Sequence, residues 1–192
     1  MRRPSRRPLL CLGLLVAWIS TGCTADVPPE DDTPVDPSTL PTFAREMLDT
    51  HNAVRAGALS PTPTPPLEPL GWDKRAEETA RAYAEKCLFR HNEDRGAYGE
   101  NLAAATPGYF DTPGVVREWA KETQDYDYAS NSCAQGKQCG HYTQVVWRDT
   151  KRVGCATQTC TKNSPFGSQA STWQLWVCNY APPGNFTGQR PY

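Results

Sequence analysis

The chain has 192 residues, 8 cysteines and a formal net charge of −1, a length suited to one ordinary domain rather than two. With no Lys/Arg run in its neutral part it lacks the electrostatic footprint of a nucleic-acid binder, and its longest apolar stretch, the 11 residues Leu9 to Ile19, falls short of the roughly 20 that cross a bilayer as a helix. Its 19 aromatic residues and moderate charge exclude a disordered chain.

Charge divides the chain into three. Residues 1–23 hold Arg2, Arg3, Arg6 and Arg7 and no acid, residues 24–41 hold five acids and no base, and residues 42–192 hold 16 of each sign. The first segment runs from arginines through an apolar stretch to Ser20-Thr21-Gly22-Cys23, the order of a secretory signal peptide. Its end resembles a bacterial lipobox. Lipidation would make Cys23 the mature N-terminus and tether the protein, since several acyl chains on one residue hold firmly to a bilayer; cleavage near Ala25 is the competing reading and would release it. Residues 24–41, with Pro28, Pro29, Pro34, Pro37 and Pro41 among the acids, read as an extended linker.

The domain is expected over 42–192. Phe43, Met47, Leu48 and Val54 recur at helical spacing and Gly57 offers a stop. A proline-rich surface loop, Pro61 to Pro69, follows. The spacing then predicts a second helix capped by Asp73, with Ala76, Ala80, Tyr83, Ala84 and Cys87 on one stripe. A third is expected to start with Thr112 as cap and Pro113 as first helical residue, burying Val115, Val116 and Trp119. The runs Tyr142–Trp147, Val153–Thr157 and Thr172–Cys178 are rich in β-branched and aromatic residues and read as strands. Helices first and strands later indicate an α+β layered domain.

Six cysteines fall in that domain: Cys87, Cys133, Cys139, Cys155, Cys160 and Cys178. They lack the close pairs of a structural zinc site, and in an exported chain they read as three disulfides whose pairing spacing alone leaves open. Three histidines are present. His51 lies on the inward side of the first helix, four residues after Met47, and His141 opens the Tyr142–Trp147 run. Two carboxylates accompany them: Glu100 between Gly99 and Asn101, and Glu122 one turn after Trp119 and so aimed inward, whereas Glu118 points elsewhere. His91-Asn92-Glu93 has the H-x-E form of a zinc deaminase without the P-C-x-x-C that should follow, so His91 reads as structural. Asn185-Phe186-Thr187 has the form of a glycosylation sequon, here behind a bacterial-type leader.

His51-Asn52-x-x-Arg55, Gly99-Glu100-Asn101, Gly140-His141-Tyr142-Thr143-Gln144-Val145-Val146-Trp147 and Cys178-Asn179-Tyr180-Ala181-Pro182-Pro183-Gly184-Asn185 together resemble, in order, the four signatures of the CAP superfamily, which includes cysteine-rich secretory proteins, insect antigen 5 and plant pathogenesis-related class 1 proteins. The likeness spans about residues 42–192 and is most similar to the plant class through Trp72-Asp73, Tyr126-Asp127-Tyr128 and the closing Gly188–Tyr192. The resemblance implies a three-layer α-β-α sandwich, disulfides Cys87–Cys160, Cys133–Cys139 and Cys155–Cys178, and a shallow cavity lined by His51, Glu100, Glu122 and His141 that holds zinc or another divalent cation. Neutral imidazoles suit zinc, and such an open site would lose it as they protonate.

Three functions follow. The first is an extracytoplasmic binding module for a lipid, sterol, glycan or protein partner, secreted or anchored to the outer face of a bacterial membrane and touching membrane only through the N-terminal anchor. The second is a metal-dependent hydrolase in which Glu100 or Glu122 takes a proton from zinc-bound water. The third is a buried polar network with a structural task alone.

Overall fold

The computed structural model describes residues 35–192; the leader, Cys23 and residues 24–34 of the linker lie outside the described residues. Residues ahead of the expected boundary at Thr42 already belong to the fold. Asp36 caps a 3-10 turn over Pro37–Thr39 by accepting the Ser38 amide, and Leu40 is buried in the core with Val35 packed against it. The end of the acidic segment is therefore part of the folded domain, because two apolar side chains in seven residues find a surface to bury against.

Helix α1 runs Thr42–Arg55 and buries Ala44, Met47, Leu48, His51 and Arg55. Strand β1 (Gly71–Trp72) leads into α2 (Lys74–Ala84), whose cap Asp73 accepts the Ala76 amide and whose buried residues Ala76, Ala80, Tyr83 and Ala84 are those of the expected stripe. After β2 (Gly99–Ala105), α3 spans Thr112–Lys121 and buries Val115, Val116 and Trp119. Its cap is Asp111, which accepts the Gly114 amide, one residue before the Thr112 expected. A 3-10 turn over Glu122–Asp125 follows, then the small antiparallel pair β3 (Tyr126–Asp127) and β4 (Ser132–Cys133).

The run around Tyr142 corrects the sequence reading: Gly140–Val145 is a six-residue helix, α4, and no strand. The long strand β5 (Arg152–Cys160) covers the Val153–Thr157 run, and β6 (Trp173–Ala181) starts one residue after Thr172 and extends beyond Cys178. The main sheet has the order β1-β5-β6-β2, with β1 parallel to β5 and the other pairs antiparallel.

Strand alternation divides the core into two layers. Val153, Cys155, Trp176, Cys178 and Tyr180 face α1, α3 and α4, and Leu102, Ala156, Leu175 and Val177 face α2. The sheet is thus covered on both faces, the α-β-α sandwich expected. Gly154 lets α2 approach β5: a Cβ there would stand 2.2 Å from the Glu77 nitrogen and 2.3 Å from the Asp73 carbonyl oxygen. The disulfides are Cys87–Cys160, Cys133–Cys139 and Cys155–Cys178. The first ties the end of α2 to β5, the second fixes the approach to α4, and the third cross-links two facing residues of β5 and β6.

Candidate functional site

Two histidine–glutamate pairs are present, one at the start of α4 and one at the start of β2. In the first, His141 Nδ1 donates to Glu122 Oε1 at 2.6 Å, while Glu122 Oε2 accepts the backbone amides of His141 at 2.9 Å and Tyr142 at 3.0 Å. The 3-10 turn after α3 brings this carboxylate to the first turn of α4, where orphan amides and the helix dipole favour an anion. The His141 ring stacks on Trp119 at 5.9 Å and 17°.

In the second pair, His91 Nδ1 donates to Glu100 Oε1 at 2.8 Å, and the same oxygen accepts the Asn92 amide at 2.9 Å. The Glu100 side chain is 0% exposed and that of His91 62%. Glu100 Oε2 is buried with no partner among the described residues, as is Asn179 Oδ1, which belongs to the residue directly opposite Glu100 in the β2–β6 ladder. His91, expected to be structural, thus makes the same Nδ1–carboxylate hydrogen bond as His141. Nothing in the spacing announces this, since a contact across nine residues of loop and strand start has no periodicity.

The two pairs are linked along the chain by consecutive residues of an edge strand. Glu100 and Asn101 leave β2 on opposite faces, and Asn101 Nδ2 donates to the His141 carbonyl at 3.1 Å. In both pairs the carboxylate takes Nδ1–H, so the acceptor lone pair is on Nε2, and neither Nε2 has a protein partner among the described residues.

His51 is placed differently. Its Nδ1 donates to the Met47 carbonyl at 2.7 Å, so the ring is the Nδ1–H tautomer and Nε2 accepts the Tyr180 hydroxyl at 2.8 Å. Tyr180 in turn accepts from Asn101 Nδ2 at 3.0 Å. His51 is 0% exposed, and burial, with the nearby Arg55 charge adding to it, brings its pKa down to about 4. Inward pointing was read correctly from the sequence, but inward here means the core: both nitrogens are occupied, which removes His51 as a metal ligand in this conformation. It belongs to the buried network that was the third reading.

The hydrolase reading meets a similar obstacle. Glu122 is spent on three N–H donors, and Glu100 is sealed from solvent behind His91, so neither is an open base. Among the described residues no three His, Cys, Asp or Glu side chains converge as a ready metal cage; the donors come as the two pairs. Surface clefts of about 550 and 290 Å³ lie elsewhere, the larger between Leu40 and α2, the smaller between the Cys133–Cys139 disulfide, α4 and Phe186.

Comparison with known proteins agrees with this architecture. Peptidase inhibitor 16 of Bos taurus is 44% identical over 146 residues, which are 76% of this chain and 31% of that protein, so the chain spans about a third of the length of that relative. Pathogenesis-related protein 1A of Nicotiana tabacum is 41% identical over 152 residues, 77% of this chain and 80% of that protein. The structure of venom allergen-like protein 4 of Schistosoma mansoni superposes with a TM-score of 0.61 at 27% identity, covering 80% of this chain and 95% of that one. The CAP model, described as the cysteine-rich secretory protein family, matches residues 48–180, and the chain belongs to that family.

Proposed function

We propose that the folded part of this chain is an extracytoplasmic binding module that holds a divalent cation through His91 and His141, carries a lipid, sterol, glycan or protein partner on the surrounding surface, and is tethered to the outer face of a bacterial membrane by lipid on Cys23. The observation that carries the metal reading is the matched pair of carboxylate-held imidazoles. A carboxylate on Nδ1 fixes the tautomer, raises the basicity of Nε2 and orients it, the arrangement found behind most metal-binding histidines. Glu100 and Glu122 are then supports for the ligands rather than ligands. A zinc ion bound there would supply a Lewis-acid centre, with water in its remaining positions.

Three disulfides suit an oxidising compartment outside the cytoplasm, which supports export. The test of the site is calorimetric titration of the purified protein with zinc chloride. Saturable binding is expected, lost in His91→Ala and in His141→Ala and retained in any His51 variant that still folds. Absence of saturable heat from the parent would sink the metal reading, and equal binding by His91→Ala would remove His91 from it. For the partner, extraction of bound lipid from protein made in membranes, together with liposome flotation, decides between lipid and the other classes.

A further inference from the structure

His141 sits on a helix of only six residues, too short to hold its own shape in water. Its place must be imposed from outside. Glu122 and Asn101 supply two of the restraints, through the first-turn amides and the His141 carbonyl. The third comes from the segment that follows β6. Asn185 Nδ2 donates to the Gly140 carbonyl at 2.8 Å, and Asn185 Oδ1 accepts the Thr143 hydroxyl at 2.7 Å. That hydroxyl has one proton, and its other neighbours, the carbonyls of Cys139 and Gly140, are farther at 3.1 and 3.3 Å. Both bonds of the Asn185 amide therefore end on the residues flanking His141 and on the turn that carries it.

The backbone is built to present that amide. Asn185 has φ +60°, a left-handed conformation that asparagine tolerates better than other side chains. Just before it, the Gly184 amide donates to Gln144 Oε1 at 3.0 Å, and a Cβ on Gly184 would stand 2.6 Å from the Trp147 ring. Gln144 Nε2 donates to Thr150 Oγ1, which donates to the Pro182 carbonyl. The segment 182–185 is thus bolted to α4 at several points, and Asn185 is the one aimed at the turn of His141.

We infer that Asn185 is a positioning residue for His141, acting through the Gly140 carbonyl and the Thr143 hydroxyl. This gives the asparagine of the sequon a task in the fold, with its amide nitrogen already committed to Gly140. The inference rests on the proposed metal site only where zinc is the readout; the placement of His141 is measurable without metal.

The test uses the protein free of metal and then with zinc. Three histidines give three imidazole Cε1–H signals, assigned by single substitution. Asn185→Gly keeps the left-handed backbone and removes the amide; it should shift or broaden the His141 signal and leave that of His91 in place. Thr143→Val should do the same, and Thr143→Ser, which keeps the hydroxyl, should restore the parent spectrum. If the parent binds zinc, Asn185→Gly should weaken binding about 10-fold, the low end for loss of a residue that orients a ligand. An unmoved His141 signal in a folded Asn185→Gly overturns the inference. So does an equal disturbance of His91 and His141, which would make Asn185 a general support of the fold. If the parent binds no zinc, the metal reading falls and the metal-free spectra alone decide this one.

Discussion

Glu122 holds His141 by its ring and its backbone at once: one carboxylate oxygen takes Nδ1–H at 2.6 Å, and the other takes the amides of His141 and Tyr142 at 2.9 and 3.0 Å. One side chain therefore starts α4, fixes the tautomer of its histidine and sets the direction of Nε2. Glu122→Gln keeps the shape but replaces one acceptor oxygen by a donor, which must oppose either the ring N–H or the two amides. Loss of such a cap costs about 1 to 2 kcal/mol, and loss of a ligand's carboxylate partner costs 10- to 100-fold in metal affinity. We expect both, measured by urea denaturation and by zinc calorimetry. Unchanged zinc affinity in a folded Glu122→Gln would show that the carboxylate does not tune the imidazole.

His51 makes stability fall in mild acid. Its pKa is about 4 in the folded protein, first because of burial, against 6.5 for an exposed histidine. Between those values the unfolded chain binds a proton that the native one refuses, so stability rises with pH across that window and is lost as pH drops through it. The full shift corresponds to about 3 kcal/mol. His51 is faced by the Met47 carbonyl, Tyr180, Trp119 and the Arg55 charge, with no carboxylate among them to offset the cost of a buried imidazolium. Urea midpoints should fall between pH 7.5 and pH 4.5 in the parent and fall less in His51→Gln, which starts lower. An identical pH slope in the two proteins would assign the acid sensitivity to other groups.

How far the sequence carries can be judged at particular residues. The α2 stripe is legible because a 3.6-residue apolar period and the Asp73 cap agree with each other and with the packing. The β5 and β6 runs are legible for the same reason, since both faces of the sheet are buried. The run after Gly140 is not. Its tyrosine, threonine and valines favour a strand by propensity, but the Glu122 carboxylate, Asn101 and Asn185 bind the first-turn groups of a helix, and all three come from distant segments. The His91–Glu100 hydrogen bond is illegible for a related reason: the glutamate is reached through the loop that leads into β2. His51 was over-read because an inward histidine looks the same in sequence whether it lines a cavity or fills a core.

The tether is tested by one substitution. If Cys23 is the lipidated mature N-terminus, the parent should partition with membranes and Cys23→Ser with the soluble extracytoplasmic fraction, because no helix among the described residues is long and apolar enough to cross a membrane. Folding should be untouched, as the core and all three disulfides lie within 35–192. Fractionation unaltered by Cys23→Ser would favour cleavage near Ala25 or another means of attachment.

Arg55 shows how the end of α1 fixes the far side of α4. Its Nε donates to the Glu68 carbonyl at 2.9 Å, and its Nη1 to the carbonyls of Val145 and Trp147 at 3.0 and 2.8 Å. The side chain is buried with no carboxylate among these partners, and burial brings its pKa down to about 10, which still leaves it charged at neutral pH. A planar guanidinium can serve three carbonyls at fixed angles, whereas an ammonium is a point donor on a shorter reach. Arg55→Lys should therefore leave at least one buried carbonyl unpaired and lower stability by about 2 to 3 kcal/mol, with faster hydrogen exchange over 145–150 than elsewhere. Arg55→Met, which removes the charge with the donors, separates the two costs: if it is no less stable than Arg55→Lys, burial of the charge offsets most of what its hydrogen bonds contribute. A Lys variant as stable as the parent would mean that this segment is held by packing, and that α4 owes its position to Glu122, Asn101 and the 182–185 segment.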